Sequence, residues 1–583
     1  MILRCAAFCA CLLILASCAG FCDDVTMGRY GPQQASFTSE KLEPPLILSW
    51  EFTSNRSRGN PAAPIVVGDT CFFAAGDRMY AVDTYSGNMK WKYPLEQPLT
   101  STVKATPAYL NGKVYFGTGD GKLYCLNAET GTFEWFFETR AALRCPPVIL
   151  DDIMFIGSDD NSIYTIHAET GDTAWTKPLT ARDDFSNGLA VGSGMVVASC
   201  MDGNMYGINA TSGKLRWPFR LPNAPVKTSP IMTENQTIMA VGSMVYGVAT
   251  RSGQIKWTIQ LPSEASASPA TDGTDIFVPC HDKKLYCYNV TGRQPVMKWT
   301  EPSDIGGIPM SSPTVADQLV YVTASHGIVS AFSTENGNLK WRYAFAASQM
   351  TSPGSLYTDA SSSPIVANGA LFVLTDDGVL HCFTKAAPDT AAPDVFFASP
   401  ANGTRMNGSP PIKFSALLYD VGSGVDFSSA SIMLDGQLAE VETDMTTGTV
   451  SYTTAPSTDK TSVVKPLKDG VHIVTLNAQD YAGNKLTKEW SFVADSTMPP
   501  PRRSKVEAAV GKKTKDPGTG TRTRPGDGSN PGTVSPPPPP PPPMPGAPGA
   551  PGGTGARERG DWGDRRREDR HNRGNFDQPA PGQ

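Results

Sequence analysis

A chain of 583 residues is too long for one ordinary domain, and its 55 glycines, 50 prolines and 18% charged residues favour short strands and turns over long helices. Its formal net charge of −6 argues against a nucleic-acid-binding protein, which normally carries a concentrated basic face. We therefore expect several all-β units and no nucleic-acid partner.

The first residues resemble an export signal. Arg4 precedes an apolar stretch, residues 5–16, which is too short to span a bilayer as a mature helix. The letters LASC at 15–18 resemble a bacterial lipobox, in which Cys18 would take a lipid anchor. Ordinary signal-peptidase cleavage a few residues later is the alternative. Residues 1–22 thus predict an exported protein, periplasmic or at the cell surface, and held to a membrane if Cys18 is modified.

Seven cysteines remain beyond this signal. Their odd number, without a close CxxC pair, predicts neither a disulfide framework nor a zinc site. Three of them recur at one strand position where other repeats have alanine, glycine or threonine, namely Cys125, Cys287 and Cys382. This recurrence indicates small buried hydrophobic residues and not reactive thiols.

Eight tryptophans recur at gaps of 40 to 44 residues: Trp50, Trp91, Trp135, Trp175, Trp217, Trp257, Trp299 and Trp341. A period in the low forties, with four short strands per unit, is typical of propeller blades. Gly-containing turns separate strands A, B, C and D, and the tryptophan falls in outer strand D, where we expect it to dock on the neighbouring blade. The unit that ends at Trp299 carries a small insertion.

The two ends of the repeat region complement each other. Residues 46–52 resemble a strand D with no A, B or C before it, and residues 363–383 resemble strands A, B and C with no strand D after them. The N-terminal strand would therefore complete the last blade and remove free sheet edges. This predicts an eight-bladed β-propeller over residues 45–385.

The recurring pattern Ala/x-x-Asp/Asn-x-x-Thr/Ser-Gly-x-x-x-Trp resembles the quinoprotein-type (PQQ-like) repeat. That family includes PQQ-dependent alcohol dehydrogenases and non-catalytic propeller lipoproteins of the BamB type. For the enzymes, the resemblance implies a calcium ion held by acidic and amide side chains, a catalytic aspartate and commonly a disulfide between adjacent cysteines. This chain has no Cys-Cys pair and lean blades, and many of its aspartates fall in turns.

We therefore predict a non-enzymatic protein with no catalytic residue, metal or cofactor. The leading hypothesis is a cell-envelope platform for protein partners, acting in outer-membrane protein assembly or surface scaffolding. The alternative is a PQQ- and calcium-dependent alcohol or sugar dehydrogenase. His281 and His326 fall in or near B–C turns of adjacent blades and could form a site, although solvated turn histidines are the simpler interpretation.

The D–A and B–C connections of a propeller share one face, and the longer D–A connections favour binding there. Basic residues stand three positions before the proline of strand A in three blades: Lys104, Arg144 and Lys227. Other blades have Ser266, Met310 and Ser361 at this position. We predict a basic rim suited to acidic or carboxylate partners, with solvated surface charge as the alternative.

Residues 392–495 alternate like sandwich strands and, with the words DVGSGVD and AQDYAGN, resemble a bacterial Ig-like domain. Asp420, Asp426 and Asp480 could bind calcium if they cluster, and turn chemistry is the alternative. Residues 496–583 include eight consecutive prolines and an Arg/Asp-rich segment, which predicts a disordered tail. The Arg-Gly-Asp tripeptide in this tail is weak evidence for adhesion.

Overall fold

The computed structural model describes residues 24–54, 62–220, 226–345, 358–385, 388–444, 447–454 and 466–499. These residues belong to one compact unit, Met1–Arg503. Their regular structure is almost entirely β, since the two helical segments are single 3-10 turns, Gly28–Tyr30 and Ser325–Gly327. Cys18 with its lipobox, and the tail from residue 500 onwards, lie outside the described residues. Within the described ranges, no helix has the length and hydrophobicity needed to span a bilayer.

Between Phe37 and Thr384, the described residues form eight sheets of four or five strands, numbered here in chain order of strand A. The strands of sheets 1 to 4 are Ile65–Val67, Thr70–Ala75, Arg78–Asp83 and Met89–Tyr93; Ala108–Leu110, Lys113–Gly117, Lys122–Asn127 and Phe133–Glu138; Val148–Leu150, Ile153–Gly157, Ser162–His167 and Leu179–Thr180; and Leu189–Gly192, Met195–Ser199, Asn204–Asn209 and Leu215–Arg220.

Sheets 5 to 8 repeat this order of strands A to D. Their strands are Ile231–Met232, Gln236–Val241, Met244–Ala249 and Ile255–Gln260; Ala270–Thr271, Asp275–Pro279, Lys284–Asn289 and Val296–Met297, with Ser303–Asp304 also on strand C; Thr314–Ala316, Leu319–Ala324, Ile328–Ser333 and Leu339–Ala344, with Phe37–Thr38 beside strand A; and Ile365–Ala367, Ala370–Leu374, Val379–Thr384 and Ile47–Thr53. The all-β propeller predicted from the tryptophan period is confirmed.

The last sheet takes its outer strand from the start of the chain. Strand D of sheet 8, Ile47–Thr53, pairs antiparallel with strand C, from Ile47 opposite Thr384 to Thr53 opposite Val379. This is the closure that the two incomplete repeats predict. Because the first and last parts of the repeat region share one sheet, neither leaves an unpaired edge at the joint.

Apolar side chains fill the space between neighbouring sheets. Phe72 and Trp91 of sheet 1, for example, share a buried cluster with Val114 and Phe116 of sheet 2. Strands B and C are buried on both faces for this reason, which explains their continuous apolar runs in the sequence. Burial of this kind, repeated around the propeller, supplies its main stabilisation.

The segment 24–46 crosses the inner edges of the sheets, a path that the sequence analysis did not predict. Its backbone is hydrogen-bonded to strand A of six sheets: Val25 to Val66, Thr26 to Tyr109, Pro32 to Val191, Gln33 to Met232, Ala35 to Thr271 and Ser36 to Val315. Tyr30 reaches a seventh, because its hydroxyl is bonded to the backbone of Val366 in sheet 8. The segment therefore runs around the central channel and ties its wall together.

Residues 394–494 form two further sheets, which are called here the C-terminal sandwich. One sheet contains Asp394–Ser399, Lys413–Tyr419, Thr449–Thr453 and Glu442–Asp444, and the other contains Thr404–Met406, Lys485–Ala494, Gly470–Asp480, Val425–Leu434 and Gln437–Ala439. Phe414 of the first sheet packs in one core with Ile432, Leu476 and Phe492 of the second. An Ig-like topology for this sandwich remains a prediction.

We expect the sandwich to become more stable as the pH falls from about 8 towards 6, because of His472. Its Nδ1 lies 2.6 Å from Asp435 Oδ2, and its Nε2 lies 2.8 Å from Lys468 O. Both partners are acceptors, so only the doubly protonated ring donates to both. Burial is the largest single influence and lowers the pKa of His472, but the hydrogen bonds to Asp435 and Lys468, together with the negative charge of Asp435, raise it above 6.5.

The folded protein thus holds the proton more tightly than the unfolded chain. The stabilisation, about 1 kcal/mol for a charge-assisted hydrogen bond, is complete below the unfolded pKa and is lost as the pH rises through the folded pKa. Urea unfolding midpoints at several pH values would measure it. The His472→Gln variant should lack this part of the pH dependence, and an unchanged pH dependence in that variant would contradict the assignment.

Candidate functional site

Each indole needs small residues on both sides. In six sheets a β-bulge leaves the residue before the tryptophan unpaired and sets the tryptophan opposite a small residue of strand C. A Cβ at Gly207 would lie 2.0 Å from the Trp217 ring, and one at Gly253 of the next sheet would lie 2.6 Å from the same ring. Cys125 and Cys382 stand opposite Trp135 and Trp50 in this way, which explains why that strand position is small.

Five indoles are also hydrogen-bonded to the next sheet. Each Nε1–H donates to the backbone carbonyl that follows strand C there, at 2.8 to 3.1 Å: Trp50 to Thr84, Trp91 to Ala128, Trp175 to Ala210, Trp217 to Thr250 and Trp299 to Thr334. Trp175 and Trp299 lie just outside their D strands, which are interrupted at these positions.

The other three indoles depart from this arrangement. Nε1 of Trp135 is buried without a partner in the described part of the chain, and the carbonyl of Ala168 accepts from the Tyr115 hydroxyl at 2.9 Å instead. Trp257 donates to a side chain of its own sheet, Gln236 Oε1, at 2.9 Å. Trp341 donates to Ser423 O of the C-terminal sandwich at 2.8 Å, because sheet 8 receives strand D from the N-terminus and has no C–D turn.

The seven cysteines within the described residues are buried free thiols. Burial raises the pKa of Cys125, Cys145 and Cys382 to about 12, so the reactive thiolate is not formed at neutral pH. Cys287 is likewise buried, with its pKa raised. The prediction that Cys125, Cys287 and Cys382 are small core residues is confirmed.

The predicted basic rim lies on the face where D–A and B–C connections meet, as shown by the bond from Leu143 N to Thr118 O. Lys104, Arg144 and Lys227 are all exposed. Arg144 Nη1 lies 3.1 Å from Asp159 Oδ2, which offsets part of its charge, whereas the two lysines form no ion pair with any described residue. Ser266, Met310 and Ser361 are half-buried. The rim remains a prediction and depends mainly on its two lysines.

A small cavity of about 160 Å³ remains in the central channel beside the segment 24–46. It is lined by Gly28, Arg29, Gln34, Ser36, Ala63, Thr106, Pro146, Ser229, Thr314, Ser363 and Ile365, which include no carboxylate. The one amide side chain in this lining is that of Gln34, whose Nε2 donates to the carbonyls of Gly28 and Gly31. A quinone with calcium requires acidic ligands and usually a cavity of about 300 to 1,000 Å³. These residues do not fit that pair.

A groove of about 1130 Å³ lies on the opposite face, among the A–B and C–D turns of sheets 4 to 6. It opens beside Trp257, where the inserted C–D loop of sheet 6 fails to bring Gly292 against the indole. Exposed apolar side chains, Ile255, Val296 and Met297, are on strand D of sheets 5 and 6. The insertion before Trp299 was the sequence feature that could have indicated this groove. The sequence analysis had instead predicted binding on the face with the D–A and B–C connections.

A cleft of about 350 Å³ separates sheets 7 and 8 from the sandwich. Buried His381 lies there with Nδ1 2.8 Å from Glu51 Oε1, a contact that lowers the pKa of Glu51. Buried Arg342 donates to Ser330 Oγ at 2.8 Å and Asp304 O at 2.6 Å. The side chains of His381 and Arg342 thus contact neighbouring protein atoms in this cleft.

Two of the three aspartates predicted to cluster in the sandwich do so. Asp420 and Asp480 lie with Asp389, all three carboxylates placing an oxygen within 4.8 Å of the others, and this set could share a cation. The same oxygens accept backbone N–H groups, for example from Gly424 to Asp420 at 2.6 Å. Burial, with repulsion from the other two carboxylates, raises the pKa of Asp420 to about 6. Asp426 is not in this group, since it accepts from Ser428 in a local turn.

His281 and His326 are exposed in the B–C turns of sheets 6 and 7. Each is engaged by its surroundings separately: His281 N donates to Glu264 O at 2.9 Å, and His326 Nδ1 lies 3.2 Å from Ser325 Oγ. Within the described ranges no hydrogen bond or ion pair joins the two rings, and their role stays a prediction.

Residues 74–385 match the protein family described as "Beta-alanine-activating enzyme, beta-propeller". A curated relative, the dehydrogenase subunit of the quinone alcohol dehydrogenase of Gluconobacter oxydans, is 35% identical over 98 residues, which are 15% of this chain and 13% of that protein. The match therefore spans far less than two thirds of the relative's length.

Solved structures show the same fold at low identity. A quinohemoprotein alcohol dehydrogenase from Pseudomonas putida superposes with a TM-score of 0.51 and 13% identity, covering 65% of this chain and 84% of that one. BamB from Moraxella catarrhalis gives a TM-score of 0.46 and 15% identity, covering 58% of this chain and 99% of that one. The sequence match and the structure of the Pseudomonas putida dehydrogenase confirm the resemblance to quinoprotein-type propellers.

Proposed function

The chain belongs to the family described as Beta-alanine-activating enzyme, beta-propeller, and we propose that it is an exported, non-enzymatic envelope protein whose eight-bladed propeller is a platform for protein partners. One observation supports this most directly: the segment 24–46 occupies the channel and leaves a cavity of about 160 Å³ with no carboxylate in its lining. Binding surface is then offered by the outer faces of a rigid scaffold. A lipid on Cys18 would hold this platform to a membrane.

The face with the D–A and B–C connections is the proposed partner surface. Lys104 and Lys227 project there without a counter-charge in the described residues, and Arg144 adds a partly paired charge. Such a rim favours partners with acidic surfaces, mainly by steering their approach. The partners would be other envelope proteins.

We expect the combined charge reversal Lys104→Glu, Arg144→Glu and Lys227→Glu to weaken partner binding about tenfold or more at physiological salt, and less at high salt. Partners would first be captured in intact cells with a photo-crosslinking residue at position 104 or 227. The affinity of the purified partner for both proteins would then be measured by titration.

A matched control carries the same charge change on the opposite face. Lys214, Arg251 and Lys340 are exposed in or beside C–D turns of sheets 4, 5 and 7, and their reversal to Glu should leave the affinity unchanged. Equal weakening by both triple variants would show a general charge effect. Full binding by the rim variant would remove the rim from the proposal.

The 35% identity to the quinone alcohol dehydrogenase over 98 residues supports one other function, a PQQ- and calcium-dependent dehydrogenase. Incubation of the purified chain with PQQ and Ca²⁺, followed by dye-linked oxidation of primary alcohols and sugars, tests it. Turnover above that of the heat-denatured protein would overturn the non-enzymatic proposal. Its absence, in a sample shown to bind a partner, would support the platform.

A further inference from the structure

Arg29 is half-buried at the centre of the propeller, and two nitrogens of its guanidinium group have no acceptor among the described residues. Nη2 donates to the carbonyl of Pro269, just before strand A of sheet 6. Nε and Nη1 are buried and have no hydrogen-bond partner among the described residues. Arg29 is also absent from every ion pair of those residues. A buried charge without a counter-charge is strongly unfavourable, so this arrangement requires a compensating group.

The surrounding backbone holds Arg29 in place. Its φ is +57° and that of Tyr30 is +64°, both in the left-handed region that side chains other than glycine rarely adopt. The Tyr30 hydroxyl accepts from Val366 N at 2.6 Å, and Gln34 Nε2 donates to the carbonyls of Gly28 and Gly31 at 3.0 Å. Backbone strain maintained by such contacts is typical of a position that serves a ligand.

The cavity that Arg29 lines is otherwise built from hydroxyl donors. Thr106 and Ser363 line it, and their hydroxyls form no hydrogen bond with the described part of the chain. Ser229 Oγ accepts from Gly188 N at 2.9 Å, which leaves its own proton to donate. A guanidinium and three hydroxyl donors, with no carboxylate in the lining, complement an oxyanion.

We propose that the central cavity binds a small oxyanion, an inorganic phosphate or a short carboxylate, whose charge neutralises Arg29. The volume of about 160 Å³ would otherwise hold about five waters, at roughly 30 Å³ each. Water satisfies the N–H groups but leaves the charge unbalanced. Burial lowers the pKa of Arg29 to about 9, which keeps the guanidinium positive at neutral pH. The site goes beyond partner binding and depends on neither outer face.

The first test identifies the anion in the protein as purified. The full chain, desalted into an anion-free buffer, is denatured in acid, and the released anions are measured by ion chromatography. About one phosphate or carboxylate per chain is expected from the wild type and none from Arg29→Gln. Equal release from both proteins would overturn the proposal.

The second test adds sodium phosphate, sodium succinate or sodium chloride at equal ionic strength during refolding and thermal unfolding. The unfolding midpoint of the wild type should rise saturably with phosphate or with succinate, and the arm that does so identifies the source; chloride should have no such effect. If neither phosphate nor succinate raises the unfolding midpoint more than chloride does, the proposal is overturned. So would a higher midpoint of Arg29→Gln in every buffer, because loss of an unpaired buried charge stabilises a protein.

Two further variants keep the test decisive. Arg78 is also buried, and its Nε likewise has no partner among the described residues, but both of its terminal nitrogens donate to carbonyls, those of Pro94, Leu95 and Glu96. Arg78→Gln should be less stable yet keep the anion-dependent rise. If Arg29→Gln does not fold, Arg29→Lys retains a charge and should bind the identified anion about tenfold more weakly. Unchanged affinity in Arg29→Lys would overturn the site.

Discussion

Replacement of Trp341 by alanine is expected to lower the free energy of unfolding by about 3–5 kcal/mol. The Trp341 side chain is fully buried, packs edge-on against Phe383 with ring centroids 5.4 Å apart, and donates to Ser423 O. Its removal opens a cavity between sheets 7 and 8 and leaves the carbonyl of Ser423 without this donor. Urea unfolding followed by intrinsic fluorescence, with wild type beside it, measures the loss.

Trp135→Ala is the matched comparison, since it removes the same side chain from the equivalent position of sheet 2. That indole is only half-buried and its Nε1 has no acceptor among the described residues, so the loss should be clearly smaller. Trp341→Phe keeps most of the packing and loses the hydrogen bond, at a cost of about 1 kcal/mol from that bond alone. Equal losses of unfolding free energy in the two alanine variants would contradict the larger contribution expected from Trp341 at the joint with the sandwich.

The parts of the fold that follow from the sequence are those encoded locally and repeated. The period of the tryptophans, the glycine turns between strands and the two incomplete repeats are each read within a few tens of residues. Ile47–Thr53 illustrates this. Its repeat has only a strand D, and the repeat that lacks a strand D is the last one, whose strand C is Val379–Thr384. The small residues at the strand-C position were also recognised from the sequence. They are small because an indole lies opposite them, and that pairing is known only from the register at the bulge.

The parts that the sequence did not predict depend on contacts between distant residues or on irregular backbone. The segment 24–46 has no repeat or periodicity, and four of its non-glycine residues, including Arg29 and Tyr30, have positive φ. Trp341 finds its acceptor 82 residues away in the C-terminal sandwich, which its own repeat gives no sign of. Asp389 joins Asp420 and Asp480 only because the chain folds back beside their loop.

These distant contacts also explain how the propeller is joined to the C-terminal sandwich. A regular repeat would end the propeller with a C–D turn for Trp341 to dock against, and sheet 8 has none. Ser423 provides the missing acceptor, and a Cβ at the neighbouring Gly424, with φ of +86°, would lie 2.7 Å from Arg342 O. The sandwich thus completes the docking pattern of sheet 7. Its loop must remain small at this point because it approaches the backbone of strand D.

The docking glycines are tested most directly in sheet 2, where Gly131→Ala is expected to cost about 2–4 kcal/mol. Gly131 has a φ of +70°, and a Cβ there would lie 2.6 Å from the Trp91 ring, so the indole must shift and strain its bond to Ala128 O. Gly112→Ala is the control in the same sheet, since its φ is +79° but its Cβ would meet nothing within 4 Å. It should cost only the backbone strain, about 1–2 kcal/mol. Urea midpoints of the two variants give the difference, which is the contribution of the docked indole; equal midpoints would mean that Trp91 does not depend on the space that Gly131 leaves.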